Sequence, residues 1–190
     1  MIYSLTGVLK TKQQGYAVVE VNGVGYKVYC PLFVLSGLPA TGEVVTLLTH
    51  HHVREDSEDL YGFLADQELS LFESLISISG VGPKSGMGIM GVAGVTELVA
   101  AINEGRVDLL TKASGVGKKT AERAVLELKG KLTFADTSGT IGRMESDVDL
   151  EETLVSLGYS KAQAKAAIAK IDPTIKVFNE RLKAALKERK

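Results

Sequence analysis

Two copies of one short pattern constrain this chain more than any other feature of it. The first is Ser79-Gly80-Val81-Gly82-Pro83-Lys84-Ser85-Gly86, and the second is Ser114-Gly115-Val116-Gly117-Lys118-Lys119-Thr120-Ala121-Glu122-Arg123. An apolar helical segment runs into each, ending Leu75-Ile76 in one and Leu109-Leu110 in the other, and a new helical pattern starts directly after. The first glycine of each copy (Gly80, Gly115) can adopt φ > 0 and stop the incoming helix. The second (Gly82, Gly117) lets the backbone come close to something outside. The valine between them can tuck inward and pin the turn. Facing out is a row of backbone N–H groups at the positive end of a helix dipole, which is an anion site, with phosphate the expected anion.

Gly117-Lys118 superficially suggests a nucleotide-binding P-loop. That motif requires a glycine at position 112 and Ser or Thr at 119, where this chain has Lys112 and Lys119, so the match fails. An isolated Gly-x-Gly would read as a pair of helix-capping glycines, but two copies with matched apolar flanks make that reading strained. The pattern resembles the helix-hairpin-helix module, whose hairpin holds DNA backbone phosphates without reading bases. Two in tandem imply a protein that grips duplex by its shape.

Charge follows the same division. The formal net charge of the 190 residues is only −1, which taken alone argues against a nucleic-acid partner. Between Arg106 and Lys131, however, basic residues outnumber acidic ones by four, while residues 1–64 carry a net charge of −2. A local positive patch beside an acidic one suits selective DNA binding better than a polycation would. Cys30 stands alone, which fits a reducing compartment and a buried structural thiol. With neither a bilayer-length apolar run nor a charged-then-apolar leader, the expected location is the cytoplasm, with no membrane contact.

Taken in order, residues 1–64 read as five short strands, at Ile2–Leu9, Tyr16–Val21, Tyr26–Cys30, Val44–His50 and Leu60–Phe63. Turn residues separate them, and Pro31, Pro39 and Gly42 are read as turns. Five strands in so short a span suit a small closed barrel of the OB type. Tyr3, Tyr16, Tyr26, Tyr29, Tyr61 and Phe63 could stack bases, but their spacing mixes both strand faces. His50-His51-His52 has no Cys or His neighbour to complete a metal set, and on a strand only His50 and His52 could converge; no metal or cofactor is expected. The acidic run Arg54–Asp59 reads as a loop between the last two strands. Taken alone it is a solvated turn; in a phosphate-binding protein its carboxylates would repel phosphates and exclude uninterrupted duplex, or, as a third option, hold Mg²⁺ for a nuclease.

Residues 65–133 read as the tandem hairpin domain. Asp66 caps its first helix, Leu69, Phe72, Leu75 and Ile76 line one face, Gly105 stops a third helix and Gly130 the last. Four glycines (Gly86, Gly88, Gly91 and Gly94) weaken the helix after the first hairpin. Residues 134–148 lose periodicity and read as a flexible linker. Residues 149–190 read as a three-helix bundle with capping boxes at Asp149/Glu152 and Ser160/Gln163 and a third start at Asp172-Pro173. Leu150, Leu154, Leu157, Ala164, Ile168, Ile171, Phe178, Leu182 and Leu186 are its expected core. A compact bundle on a tether suggests a partner-binding module.

A five-strand barrel, paired helix-hairpin-helix units, a linker and a UBA-like three-helix tail, in that order, resemble the RuvA family of Holliday junction branch migration subunits. The residues that carry the likeness are Arg54-Glu55-Asp56 with Leu60-Tyr61-Gly62-Phe63, the two Gly-Val-Gly segments, and Leu157-Gly158-Tyr159 in the tail. The resemblance implies a homotetramer whose concave face holds an opened four-way DNA junction. It implies phosphate contacts from Gly80, Gly82, Lys84, Gly115, Gly117, Lys118, Lys119, Thr120 and Arg123, and an acidic pin at Glu55 and Asp56. It also implies that residues 149–190 recruit RuvB, a hexameric ATPase, and that RuvC, the resolving nuclease, joins the same junction. The chain departs from the family at Gly86, where the second copy has Ala121, so the second hairpin is the more secure phosphate site, and the glycines imply either tighter helix packing or a floppier first unit. Such a subunit is non-catalytic, with ATP hydrolysis left to the motor. The alternative is a helix-hairpin-helix nuclease or glycosylase on branched or damaged DNA, for which Asp136 is the catalytic carboxylate a glycosylase would use.

Overall fold

The computed structural model describes residues 1–132, 140–172, 175 and 177–187. They belong to two compact units, Met1–Asp136 and Thr137–Lys190.

In the first unit, β1 (Ser4–Gln13), β2 (Tyr16–Val21), β3 (Val24–Tyr29), β4 (Val44–Val53) and β5 (Glu58–Phe63) close into a barrel in the order β1-β2-β3-β5-β4. Every pairing is antiparallel except β3 with β5. Alternation along the strands turns Leu5, Leu9, Ala17, Val19, Val28, Val45 and Leu47 inward, all buried, and closure gives every strand two neighbours. One element escapes the strand reading. The helix α1 (Leu32–Gly37) lies between Pro31 and Pro39 and buries Val34 and Leu35 in the core. Six residues are too few to show helical periodicity, and the flanking prolines make the segment look like turns.

The helices α2 (Asp66–Ile76), α3 (Pro83–Met90), α4 (Val95–Glu104), α5 (Val107–Leu110) and α6 (Lys118–Leu128) follow. The α2 N-cap is Ala65, not Asp66. The Glu68 carboxylate reaches back to accept the Leu64 and Ala65 amides at 2.9 and 3.3 Å. Asp66 instead sits in the first turn, where its charge complements the helix dipole. Gly105, in the left-handed region at φ 77°, ends α4 as expected. The barrel and these helices share one core. Its joint is Phe72 of α2, fully buried, stacked on Tyr61 at 5.3 Å and tilted against Phe63 at 5.1 Å.

The second unit is a bundle of α7 (Thr140–Ser156), α8 (Lys161–Ala169) and α9 (Phe178–Lys187) around Leu150, Leu154, Ala164, Ala167, Ile171 and Ala185. The Ser160/Gln163 capping box forms, with Ser160 Oγ accepting from the Gln163 amide and Gln163 Oε1 from the Ser160 amide. The expected box at Asp149 does not, because Asp149 lies inside α7, which starts at Thr140 within the stretch read as linker. Arg181 of α9 supplies the reason. Its buried guanidinium bonds Ser146 Oγ and the Asp147 carboxylate, which gives a polar segment a tertiary partner that helical periodicity cannot reveal. Residues 134–139 and Pro173 lie outside the described residues, and α9 starts at Phe178, beyond the Asp172-Pro173 signal. Leu157 and Leu186, expected in the core, are 51% and 39% exposed.

No single described helix is long and apolar enough to cross a membrane. The pair α3 and α4 is apolar enough together, but the two meet at 101° and bury Ile89, Met90, Leu98 and Val99 in the shared core.

Candidate nucleic-acid interface

The two hairpins take the geometry their glycines allow. Gly80 and Gly115 have φ of 91° and 77°, a region open to glycine at little cost. Val81 and Val116 are buried beneath them, and their amides close the turns onto Ile78 O at 2.9 Å and Ala113 O at 3.2 Å. Gly82 and Gly117 are extended N-cap residues of α3 and α6. A Cβ added at either would meet nothing within 4 Å. The protein itself therefore gives no reason for glycine there, whereas an external group resting on the backbone would.

The first amide in each helix to bond back is Gly86, to Gly82 O at 2.9 Å, and Ala121, to Gly117 O at 3.0 Å. Those before it have no acceptor within the helix. In the first hairpin they are Gly82, Lys84 and Ser85, because Pro83 has no N–H. In the second they are Gly117, Lys118, Lys119 and Thr120. The second elbow thus offers one donor more, a difference the sequence carried in Pro83 against Lys118.

Electrostatics favours an anion at the same place. The first turns of α2, α4 and α9 carry carboxylates, as the dipole prefers. Those of α3 and α6 carry none and hold Lys84, Lys118 and Lys119 instead. A cation there is unfavourable by about 0.3–1 kcal/mol, an arrangement that a bound phosphate reverses. Lys118 is 81% exposed and only 3.9 Å from Glu122 Oε1, a weak tie. Lys84 and Lys119 are exposed and Thr120 is half-buried. Arg123 is exposed but engaged, its Nη1 donating to Ser79 O at 3.0 Å and its Nε lying 3.6 Å from Glu127 Oε1.

Of the four glycines after the first hairpin, Gly86 and Gly88 are packing residues. An added Cβ at Gly86 would lie 2.9 Å from Ile76 Cγ2 and 3.2 Å from Phe72 Cε2, so α3 sits directly on α2. At Gly88 it would lie 2.9 Å from the Ser114 carbonyl oxygen.

The acidic run is divided between elements. Only Arg54–Ser57 form the turn, closed by the Arg54 amide donating to Ser57 O at 2.8 Å; Glu58 and Asp59 begin β5, opposite Val53 and His52. The β1 ladder reaches β4 only as far as Leu48, and the β3 ladder reaches β5 only at Leu60 and Tyr61. The Thr49 amide still donates to Tyr3 O at 2.7 Å, and from His52 and Asp59 outward the β4 and β5 backbones pair with each other alone, so Glu55 and Asp56 cap a short projecting arm. From His52 to Glu55 it extends about 10 Å at the usual strand rise.

The three histidines form the foot of this arm, a role their sequence did not reveal. His51 Nδ1 accepts the Ile2 amide at 3.3 Å and its Nε2 lies 3.4 Å from Glu58. His50 meets Glu73 of α2 at 3.1 Å and packs edge-on to Phe72. His52 accepts from Arg54 Nε at 3.0 Å; its burial, then the charges of Arg54 and His50, hold its pKa below the ordinary histidine value. Adjacency on a strand does separate His51 from the other two, as alternation requires. Of the aromatics, Tyr61 and Phe63 are core, and Lys27 Nζ lies over the Tyr16 and Tyr29 rings at 4.5 and 4.7 Å, so a cation occupies the faces on which bases would stack.

Three family descriptions match along the chain: the RuvA N terminal domain over residues 1–62, a SAM-like helix-hairpin-helix tandem over 72–131, and the RuvA C-terminal domain over 149–188. A protein of Dehalococcoides mccartyi is 40% identical over 188 residues, 98% of this chain and 97% of its own length. The chain belongs to the RuvA family. Other RuvA relatives match as fully, at 43% identity in Methylibium petroleiphilum (98% of each chain) and 43% in Chloroflexus aggregans (98% of this chain, 97% of that one). All three are named Holliday junction branch migration complex subunit RuvA. The RuvA matches fall on the barrel and on the C-terminal bundle, and the tandem match covers both elbows.

Proposed function

We propose that this chain is the junction-holding subunit of a branch migration complex in recombination and DNA repair. The carrying observation is the pair of glycine elbows whose free amides and lysines open onto solvent at the N-termini of α3 and α6. Each elbow holds a sugar-phosphate backbone through Gly80, Gly82 and Lys84 or through Gly115, Gly117, Lys118, Lys119 and Thr120. Contacts of this kind position a duplex without reading its sequence. Four copies surround the junction, and Glu55 and Asp56 at the arm tip repel phosphates at the crossover, keeping the strands parted. The exposed tip gives these carboxylates no preorganised pocket, which favours a repulsive role over a nucleolytic one.

The chain does no chemistry of its own. ATP is hydrolysed by a hexameric RuvB motor docked on residues 149–190, and RuvC meets the same junction for resolution. The complex works in the cytoplasm. A gel-shift series on a four-way junction tests the interface. Replacing Lys118 and Lys119 together by Ala should weaken binding at least about tenfold at moderate salt, as loss of two phosphate contacts requires. Unchanged affinity would remove the second elbow from the interface.

A further inference from the structure

The two hairpin repeats superpose in sequence so that Ser79 matches Ser114, Ser85 matches Thr120 and Gly88 matches Arg123. The last pair of positions is asymmetric in residue type but equivalent in contact. Each faces the serine carbonyl of the other repeat. From the second repeat, Arg123 Nη1 donates to Ser79 O at 3.0 Å. From the first, Gly88 lies so close to Ser114 that a Cβ would come within 2.9 Å of its carbonyl oxygen, and Ser85 Oγ donates to the neighbouring Gly115 O at 3.5 Å. One contact is made by backbone approach and the other by a long side chain.

We infer that Arg123 is a positioning residue that, from the helix of the second hairpin, sets the orientation of the first. Ser79 O and the Gly80 N–H share one planar trans peptide, in which the two bonds point in opposite directions. Holding the carbonyl toward α6 therefore turns the Gly80 amide away from α6. The guanidinium is suited to this because its fork lies against Glu127 Oε1 through Nε while Nη1 reaches across. A lysine presents a single point charge and cannot hold both acceptors in fixed geometry. The two elbows thereby become one clamp of set spacing. The inference rests on the reading of the elbows as phosphate holders, and it revises the expectation that Arg123 is simply one more phosphate contact.

The first test uses the DNA-free full-length chain. Amide hydrogen exchange at Val81, bonded to Ile78 O, reports the first hairpin, and Val116, bonded to Ala113 O, the second. Arg123→Ala should speed exchange at Val81 at least tenfold and leave Val116 within twofold. Equal change at both sites, or none at Val81, overturns the inference. The second test is a double-mutant cycle on four-way junction affinity. Lys84→Ala should cost at least threefold less in the Arg123→Ala background than in wild type, whereas the cost of Lys119→Ala stays the same, and Arg123→Lys should not restore binding. Independent costs for Lys84→Ala and Arg123→Ala, with full rescue by Arg123→Lys, assign Arg123 to a phosphate alone and overturn the inference. A wild-type chain that fails to bind the junction would sink the functional reading, while the exchange result still decides the role of Arg123.

Discussion

At the scale of single residues, the glycines divide by what surrounds them. Gly82 faces open space and Gly86 faces Ile76 and Phe72. Gly86→Ala should overpack the α2–α3 contact and lower stability by about 1–3 kcal/mol, measured by urea denaturation. Gly82→Ala should change stability by less than about 1 kcal/mol yet weaken junction binding, because its methyl group stands where a phosphate would rest. Affinity retained in Gly82→Ala would show that nothing approaches that backbone. Cys30 is buried, and burial pushes its thiol up to about 12. Iodoacetamide near neutral pH should therefore leave the native protein unmodified and alkylate it only on unfolding. For His52, the folded-state pKa lies below the unfolded value of 6.5. Its contribution to stability is complete above the unfolded value and is lost as pH falls through the folded one. His52→Gln should flatten the acid-side decline of the urea midpoint below about pH 6.5; an unchanged slope would remove His52 from that decline. Elbow glycines are legible in sequence because φ > 0 is a local demand. The contact of Arg123 with Ser79 was not, since it depends on which helix folds back on which turn.

At the scale of elements, the five strands and the two hairpins follow from periodicity and turn residues, although β1 runs to Gln13, four residues past its expected end, and β4 to Val53, three past. The failures share a cause. The α1 segment, the early turns of α7 and the division of the acidic run are all decided by tertiary partners: the shared core for Val34, Arg181 for Ser146 and Asp147, and the β4 ladder for Glu58 and Asp59. The opening of α6 carries the clearest conflict between folding and binding. Lys119→Ala should leave the protein as stable or slightly more so, by about 0.3 kcal/mol, since a cation leaves the positive end of a helix. It should also reduce the slope of log affinity against log salt by about 0.9. Loss of stability with an unchanged slope would mean that Lys119 serves the fold rather than DNA.

At the scale of the molecule, the barrel that carries the arm and the helices that carry the elbows are packed as one piece through Phe72, Tyr61 and Phe63. A shared core fixes the arm and the elbows relative to each other, and under the proposed function that fixed relation is what would let charge of opposite sign discriminate DNA shape. The measurement that addresses this directly is the ratio of four-way junction to linear duplex affinity at matched salt, for wild type and for Glu55→Gln/Asp56→Asn. The wild type should prefer the junction by at least about a thousandfold, the low end of the range by which specific exceeds nonspecific binding, and the neutralised arm should bind duplex better and lose most of that preference. Equal affinity of the wild type for both DNAs, or a ratio unmoved by neutralisation, would contradict it.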